Sequence, residues 1–158
     1  MEKEFSRRSF LKVGTTAALG LAVAPSMLMG RSKKKDAAPK PLDRKLKVLG
    51  VGIGGRGASV LKELETEEII GLCDVDWKYA AHVFERYPNA KRYNDYKVMY
   101  AELLDEADAV VVATADHTHA IIAAEAIVAG KHVYVEKPLT HTVYESRLLT
   151  KLAAKHKV

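Results

Sequence analysis

The sequence predicts an α/β fold, a doubly wound parallel sheet with helices on both faces, and three observations predict it. Short apolar runs recur at Lys45 to Val51, Glu68 to Asp74, Ala107 to Ala113 and His132 to Val135. Longer helix-compatible stretches separate them, punctuated by Gly, Pro and Asn. The first run ends in a glycine-rich turn, Gly52-Ile53-Gly54-Gly55-Arg56-Gly57, placed where a strand passes into a helix.

The chain of 158 residues has room for about one domain of ordinary size. Of its 25 Lys+Arg and 20 Asp+Glu, residues 1–47 hold 12 and 4, which leaves 13 and 16 for residues 48–158. The net charge of +5 therefore sits in the N-terminal part, and the folded part is mildly acidic. The dense basic run, Lys33-Lys34-Lys35, lies outside any folded pattern, so a nucleic-acid partner is not expected.

Residues 1–30 read as a leader. Ser6-Arg7-Arg8-Ser9-Phe10-Leu11-Lys12 precedes an uncharged, Ala- and Gly-rich stretch from Val13 to Gly30, and closely resembles the twin-arginine export signal. The expected partner is the twin-arginine export machinery and the expected location periplasmic, reached by the folded protein. The alternative is an amphipathic or transmembrane helix, but the 18 uncharged residues only just reach spanning length and Gly14, Gly20 and Pro25 make the stretch weakly apolar. Cleavage after Ala22-Val23-Ala24 would put Pro25 next to the cut, and an uncleaved leader would leave the protein tethered to the membrane. Residues 31–44, with two prolines and little apolar content, read as a flexible linker, and residues 45–158 as the domain.

The domain opens with a strand, the glycine turn, a helix from Ala58 to Leu64 and a second strand ending at Asp74. In such a turn Gly52 lets the chain leave the strand sharply, Gly54 leaves room for a pyrophosphate against the backbone, and Gly57 lets helix and sheet approach. The helix that follows offers unpaired N–H groups and a positive dipole end to anions. Asp74 falls 22 residues after Gly52, where an acid can accept from a ribose hydroxyl. Together these features predict a dinucleotide site. Asp74 and Asp76 would repel a 2′-phosphate, which favours NAD over NADP, although Arg56 and Lys78 could offset part of that repulsion.

Trp77 to Tyr87 reads as a helix broken at Pro88-Asn89, and Arg92-Tyr93 as a short third strand. Asn94 or Asp95 can cap a helix from Tyr96 to Glu106. Tyr87, Tyr93, Tyr96 and Tyr100 are expected to face the core, and Cys73, the single cysteine, to be a small buried hydrophobe. Ala107 to Ala113 suits a central strand covered on both faces. A helix is expected from Ala120 to Ala129, stopped by Gly130, and then the strand His132 to Val135. Thr142-Val143-Tyr144-Glu145 forms a capping box for a last helix reaching about Lys155. The expected strand order is 3-2-1-4-5.

In that order the turns after strands one, four and five converge where the order reverses. Gly54, Thr114, His117, His119, Glu136 and Lys137 are thereby brought toward one ligand. Asp116-His117-Thr118-His119 offers metal-ligand types, but no second cluster completes a set of three or four, so no metal is expected. His119 is placed beside the cofactor ribose instead.

The glycine turn, Cys73-Asp74-Val75-Asp76, Arg92-Tyr93-Asn94-Asp95-Tyr96, Asp108 to Thr114 and above all Ala129-Gly130-Lys131-His132-Val133-Tyr134-Val135-Glu136-Lys137-Pro138-Leu139 fall in one family's order and spacing. From Lys45 to about Lys155 the chain resembles the N-terminal, dinucleotide-binding Rossmann half of the Gfo/Idh/MocA oxidoreductases. The resemblance implies NAD as cofactor, hydride transfer to or from a sugar or polyol, and a homo-oligomer at full length. It implies that Gly52, Gly54, Gly55, Arg56 and Gly57 hold the pyrophosphate, with Asp74 on the adenosine ribose and Thr114 and His119 nearby. Lys137 would be the catalytic residue, reaching nicotinamide and substrate, with Glu136 and Pro138 shaping its turn. Some exported members are NAD-dependent glycoside hydrolases, an alternative of another reaction class; a truncated, inactive nucleotide-binding fragment is a third reading. Two departures stand out. Ala115 occupies a position where members commonly have proline, and the family's second α/β domain is absent from these residues. The chain is thus expected to be the N-terminal part of a longer protein and inactive by itself.

Overall fold

The computed structural model describes residues 43–158. The leader expected over residues 1–30, and all but the last two residues of the linker expected over 31–44, lie outside the described residues. Among the described residues no helix is long and apolar enough to cross a membrane.

Strand and helix alternate as β1 (Lys47–Val51), α1 (Arg56–Glu63), β2 (Glu68–Cys73), α2 (Ala81–Arg86), β3 (Lys91–Tyr93), α3 (Tyr96–Leu103), β4 (Ala109–Val112), α4 (Asp116–Val128), β5 (His132–Val135) and α5 (Val143–His156). The five strands form one all-parallel sheet in the order β3-β2-β1-β4-β5, as the sequence predicts. Successive strand residues point to opposite faces, so the inner strands β1, β2 and β4 each feed two cores. Val48, Leu72 and Val111 pack with Val60 and Leu61 of α1 and Val83 and Phe84 of α2. On the other face Leu49, Val51, Val110 and Val112 pack with Met99 and Leu103 of α3 and Ile122 and Ala126 of α4. Leu149 of α5 joins that layer through Ala123 and Ile127.

Three helix boundaries differ from the expected ones by three residues or more. Residues 77–80 form turns and not helix: the Asp76 carboxylate caps them, accepting from the N–H groups of Lys78 and Tyr79 at 3.1 and 3.0 Å, but Ala81 N–H then turns to the Lys78 carbonyl three residues back at 3.4 Å, which separates this turn from α2. Helix α3 stops at Leu103, three residues short of Glu106. Helix α4 begins at Asp116, so Asp116 to His119 are its first turn. Asp95 caps α3 by accepting from Lys97 N–H at 2.8 Å, and the Thr142–Glu145 capping box forms as expected. Tyr93 and Tyr100 are buried, and Tyr87 and Tyr96 pack at the core margins. Cys73 is buried at the end of β2.

Arg44, the last residue of the expected linker, is tied to the domain. Its Nη1 and Nη2 donate to the two oxygens of Asp108 at 2.6 and 2.7 Å. Lys47 N–H adds a third bond to that carboxylate at 2.8 Å. The Arg44 bonds first, and the Lys47 N–H second, hold the Asp108 carboxyl well below the usual carboxylate range. A depressed carboxyl contributes stability above its unfolded pKa and loses it as pH falls through the folded value. Asp108→Asn should therefore lower Tm at about pH 7, the gap to the parent closing as pH falls below the ordinary carboxylate range. Half the Arg44 side chain is in water, which keeps the effect small. Equal melting of the two proteins at neutral pH would count against it.

Candidate functional site

A cleft of about 880 Å³ opens at the carboxyl ends of β1, β2 and β4, where the strand order reverses. Gly52, Gly55, Asp74, Tyr79, Thr114 and His117 are among its lining residues.

Two glycines build its floor. Gly52 leaves β1 with φ +77°, and a Cβ there would stand 2.6 Å from Thr114 N. At Gly57 a Cβ would stand 2.3 Å from the carbonyl oxygen of Gly52. No side chain fits either place, so the start of α1 lies directly against the end of β1. That contact sets the N-terminal end of α1 at the switch point, with Gly55 in the cleft wall.

Asp74 ties the turn to the end of β2. Its Oδ2 accepts from Gly54 N–H at 2.8 Å and its Oδ1 from Asp76 N–H at 3.0 Å. Each oxygen keeps a free lone pair, so the carboxylate is fixed in direction and can still accept from a diol. Above Gly54 the structure differs from the sequence expectation. The space reserved there for a pyrophosphate is taken by the ring of Tyr79, whose Cδ1 would meet a Gly54 Cβ at 2.5 Å. Tyr79 is 61 % exposed, so the ring has room to turn aside. Sequence reading missed this residue because it lay in an expected helix, whereas the Asp76 turn brings its side chain back over the glycines.

The remaining expected residues divide into two groups. Thr114 lines the cleft, its Oγ1 2.7 Å from Thr118 Oγ1. Arg56 turns away from the cleft, its Nε donating to Glu136 Oε1 at 3.0 Å. Burial pushes the Glu136 carboxyl up, but Arg56, the Lys137 N–H and the Tyr134 hydroxyl outweigh it and hold the group below its ordinary value. Lys137 is exposed, and among the described residues its ammonium has no hydrogen-bond or ion-pair partner. His119 is not where the sequence reading put it. The side chain is 1 % exposed, with Nδ1 2.8 Å from the Pro138 carbonyl oxygen and Nε2 3.0 Å from that of Thr114. Both ring nitrogens are used inside the protein, so it joins two turns and does not line the cleft.

These parts suit an elongated, anionic, diol-bearing ligand such as a dinucleotide: a close glycine turn at a helix start, an oriented carboxylate one strand away, and a cleft across the switch point.

Comparison with known proteins points the same way. Residues 45–158 match the family model described as the oxidoreductase family with an NAD-binding Rossmann fold. An α-N-acetylgalactosaminidase of Shewanella oneidensis is 32 % identical over 88 % of this chain and 35 % of its own length. A glycosyl hydrolase family 109 protein of Shewanella putrefaciens is 31 % identical over the same shares. Among solved structures, the WlbA dehydrogenase of Chromobacterium violaceum, in complex with NADH and UDP-GlcNAcA, superposes with TM-score 0.64 at 29 % identity, covering 77 % of this chain and 36 % of that one. GenD2 of gentamicin A biosynthesis, in complex with NAD, gives TM-score 0.63 at 32 % identity, covering 73 % and 33 %. The chain spans about a third of the length of these relatives.

Proposed function

The chain belongs to the Gfo/Idh/MocA oxidoreductase family, of which it carries the NAD-binding Rossmann fold, and from that premise we propose that it is the cofactor-binding part of an exported enzyme that oxidises or reduces a sugar or polyol. The observation that carries the reading is the cleft at the β1–β4 switch point, with Gly52 and Gly57 in enforced contact and the Asp74 carboxylate fixed at its rim.

In this reading the first turn of α1 receives the pyrophosphate and Asp74 accepts from the adenosine ribose. Bound NAD supplies the hydride acceptor, and the chain supplies position and proton handling. Lys137 takes or returns the proton at the substrate hydroxyl oxygen, and Glu136, pinned by Arg56, fixes the turn that carries it. Lys137 stands in water here; the wall that would enclose it belongs to the two thirds of the relatives' length outside the matched region. The sugar is argued from the neighbours' ligand, a UDP-sugar in one case. Export rests on the Arg7-Arg8 leader alone.

A second reading, a glycosidase that oxidises and re-reduces its sugar on a retained NAD, is supported by the glycosidase names among the relatives. In the full-length protein, glycoside cleavage without added NAD would support it, and sugar-dependent NAD reduction would support the dehydrogenase.

Calorimetric titration of NAD and NADP tests the shared core of both. NAD should bind at least about tenfold more tightly than NADP. Arg56, the cation of the glycine turn itself, is paired with Glu136 and so offsets less of the repulsion that Asp74 and Asp76 exert on a 2′-phosphate. Binding of neither nucleotide, or a preference for NADP, would defeat the assignment.

A further inference from the structure

We infer that His119 is a positioning residue for Lys137, a role that rests on the dinucleotide reading and adds to it. Thr114 lines the cleft at the end of β4, and Pro138 follows Lys137 in the turn after β5. The His119 ring lies between them, within 3.0 Å of the first carbonyl oxygen and 2.8 Å of the second. Both contacts are with carbonyl acceptors, and a ring nitrogen answers one by donating its N–H.

Its burial is what makes it a strut. At 1 % exposure the imidazole is held on helix α4, which packs against β4, β5 and α5. Lys137 itself has no side-chain partner among the described residues, so the path of its backbone decides where the ammonium can reach. That path has two fastenings: Glu136, through Arg56 to the glycine turn, and Pro138, through His119 to Thr114. Removing the second lets the turn drift while the glycine turn and Asp74 stay in place. The loss should fall on the nicotinamide end of the ligand and spare the adenosine end.

The experiment compares NAD with ADP-ribose, which lacks only the nicotinamide, by calorimetric titration of the 158-residue chain and of its His119→Leu and His119→Gln variants. His119→Leu keeps the bulk and removes the polar contacts; it should weaken NAD by about tenfold and leave ADP-ribose within about twofold of the parent. His119→Gln, whose amide nitrogen carries two N–H donors, should recover part of the loss and decides the matter if the Leu variant fails to fold. Amide NMR shifts at Lys137 and Leu139 should move in the Leu variant and return toward the parent in the Gln variant. Equal loss of both ligands, or loss of neither, would overturn the positioning role while leaving the dinucleotide site standing. A parent that binds neither ligand would remove the site and this role together.

Discussion

Gly57→Ala should abolish NAD binding and lower the stability of the domain by on the order of 1–3 kcal/mol or more. The new methyl would stand 2.3 Å from the Gly52 carbonyl oxygen and 3.3 Å from the Ala113 Cβ. The first of these obstacles is backbone, fixed in turn by the Gly52 N–H bond to the Cys73 carbonyl at 2.9 Å. Helix α1 can only retreat, and its retreat withdraws the N–H groups of its first turn and loosens Val60 and Leu61 from the core. Against a total stability of roughly 5–15 kcal/mol this is a large fraction. Gly54→Ala is the control for stability, because its methyl meets the exposed ring of Tyr79, which can rotate away, and the Ala80 backbone nitrogen only at 3.3 Å. Thermal melting of the two variants should separate clearly, with NAD titration the second readout for Gly57→Ala. A Gly57→Ala protein that melts and binds like the parent would mean that the close approach of helix and strand is not what the site depends on.

Asp74→Ala should weaken NAD by about tenfold to a hundredfold, since a hydrogen bond to a charged group contributes about 1.5–3 kcal/mol. The residue is expected to act twice. It would accept from the ligand diol, and it already holds Gly54 N–H and Asp76 N–H in their places. Asp74→Asn keeps an acceptor oxygen but replaces the other with a donor, which would face one of those two N–H groups, so it should fall between parent and Ala variant. Either change also removes the charge that disfavours a 2′-phosphate, and the ratio of NAD to NADP affinity should shrink. Affinity and ratio both unchanged would assign the ribose to another group.

Strands and their order were legible because a central parallel strand leaves a short apolar run with a glycine or polar break at its end, as Ala109–Val112 does before Thr114. The glycine turn was legible for the same local reason. Helix starts were less so. Ala115 caps α4 without any side-chain bond, so the polar Asp116-His117-Thr118-His119 looked like a loop and not a first helical turn. At Asp76 the reverse held: its carboxylate caps a turn from the N–H groups two and three residues on, but the bond from Ala81 N–H to the Lys78 carbonyl closes that turn before α2 begins, a break no residue type over Trp77 to Ala80 announces. The burial of His119 was out of reach of sequence reading, because its partner in the turn after β5 lies 19 residues away and is a backbone carbonyl, which leaves no residue type to recognise. The pairing of Arg56 with Glu136, 80 residues apart, is the same kind of fact.

The uneven anchoring of the sheet divides the site in time as well as in space. Among the described residues strand β1 is clasped by β2 on one side and β4 on the other, while β5 has a neighbour on one side only. Fluctuations that peel back an outer strand need less free energy than those that open the middle of a sheet. Glu136 and the Lys137–Pro138 turn ride on that outer strand; Gly52 and Asp74 sit at the ends of inner ones. Hydrogen exchange should accordingly be faster at His132 and Glu136, whose N–H groups donate across to Asp108 and Val112, than at Gly52 and Ala113, whose N–H groups donate to Cys73 and Val51, and equal protection would deny the division. With it, the domain behaves as a hand whose palm stays closed on the nucleotide while the finger that reaches the chemistry lifts and resettles, so a ligand could stay held by its adenosine end through many openings at the other.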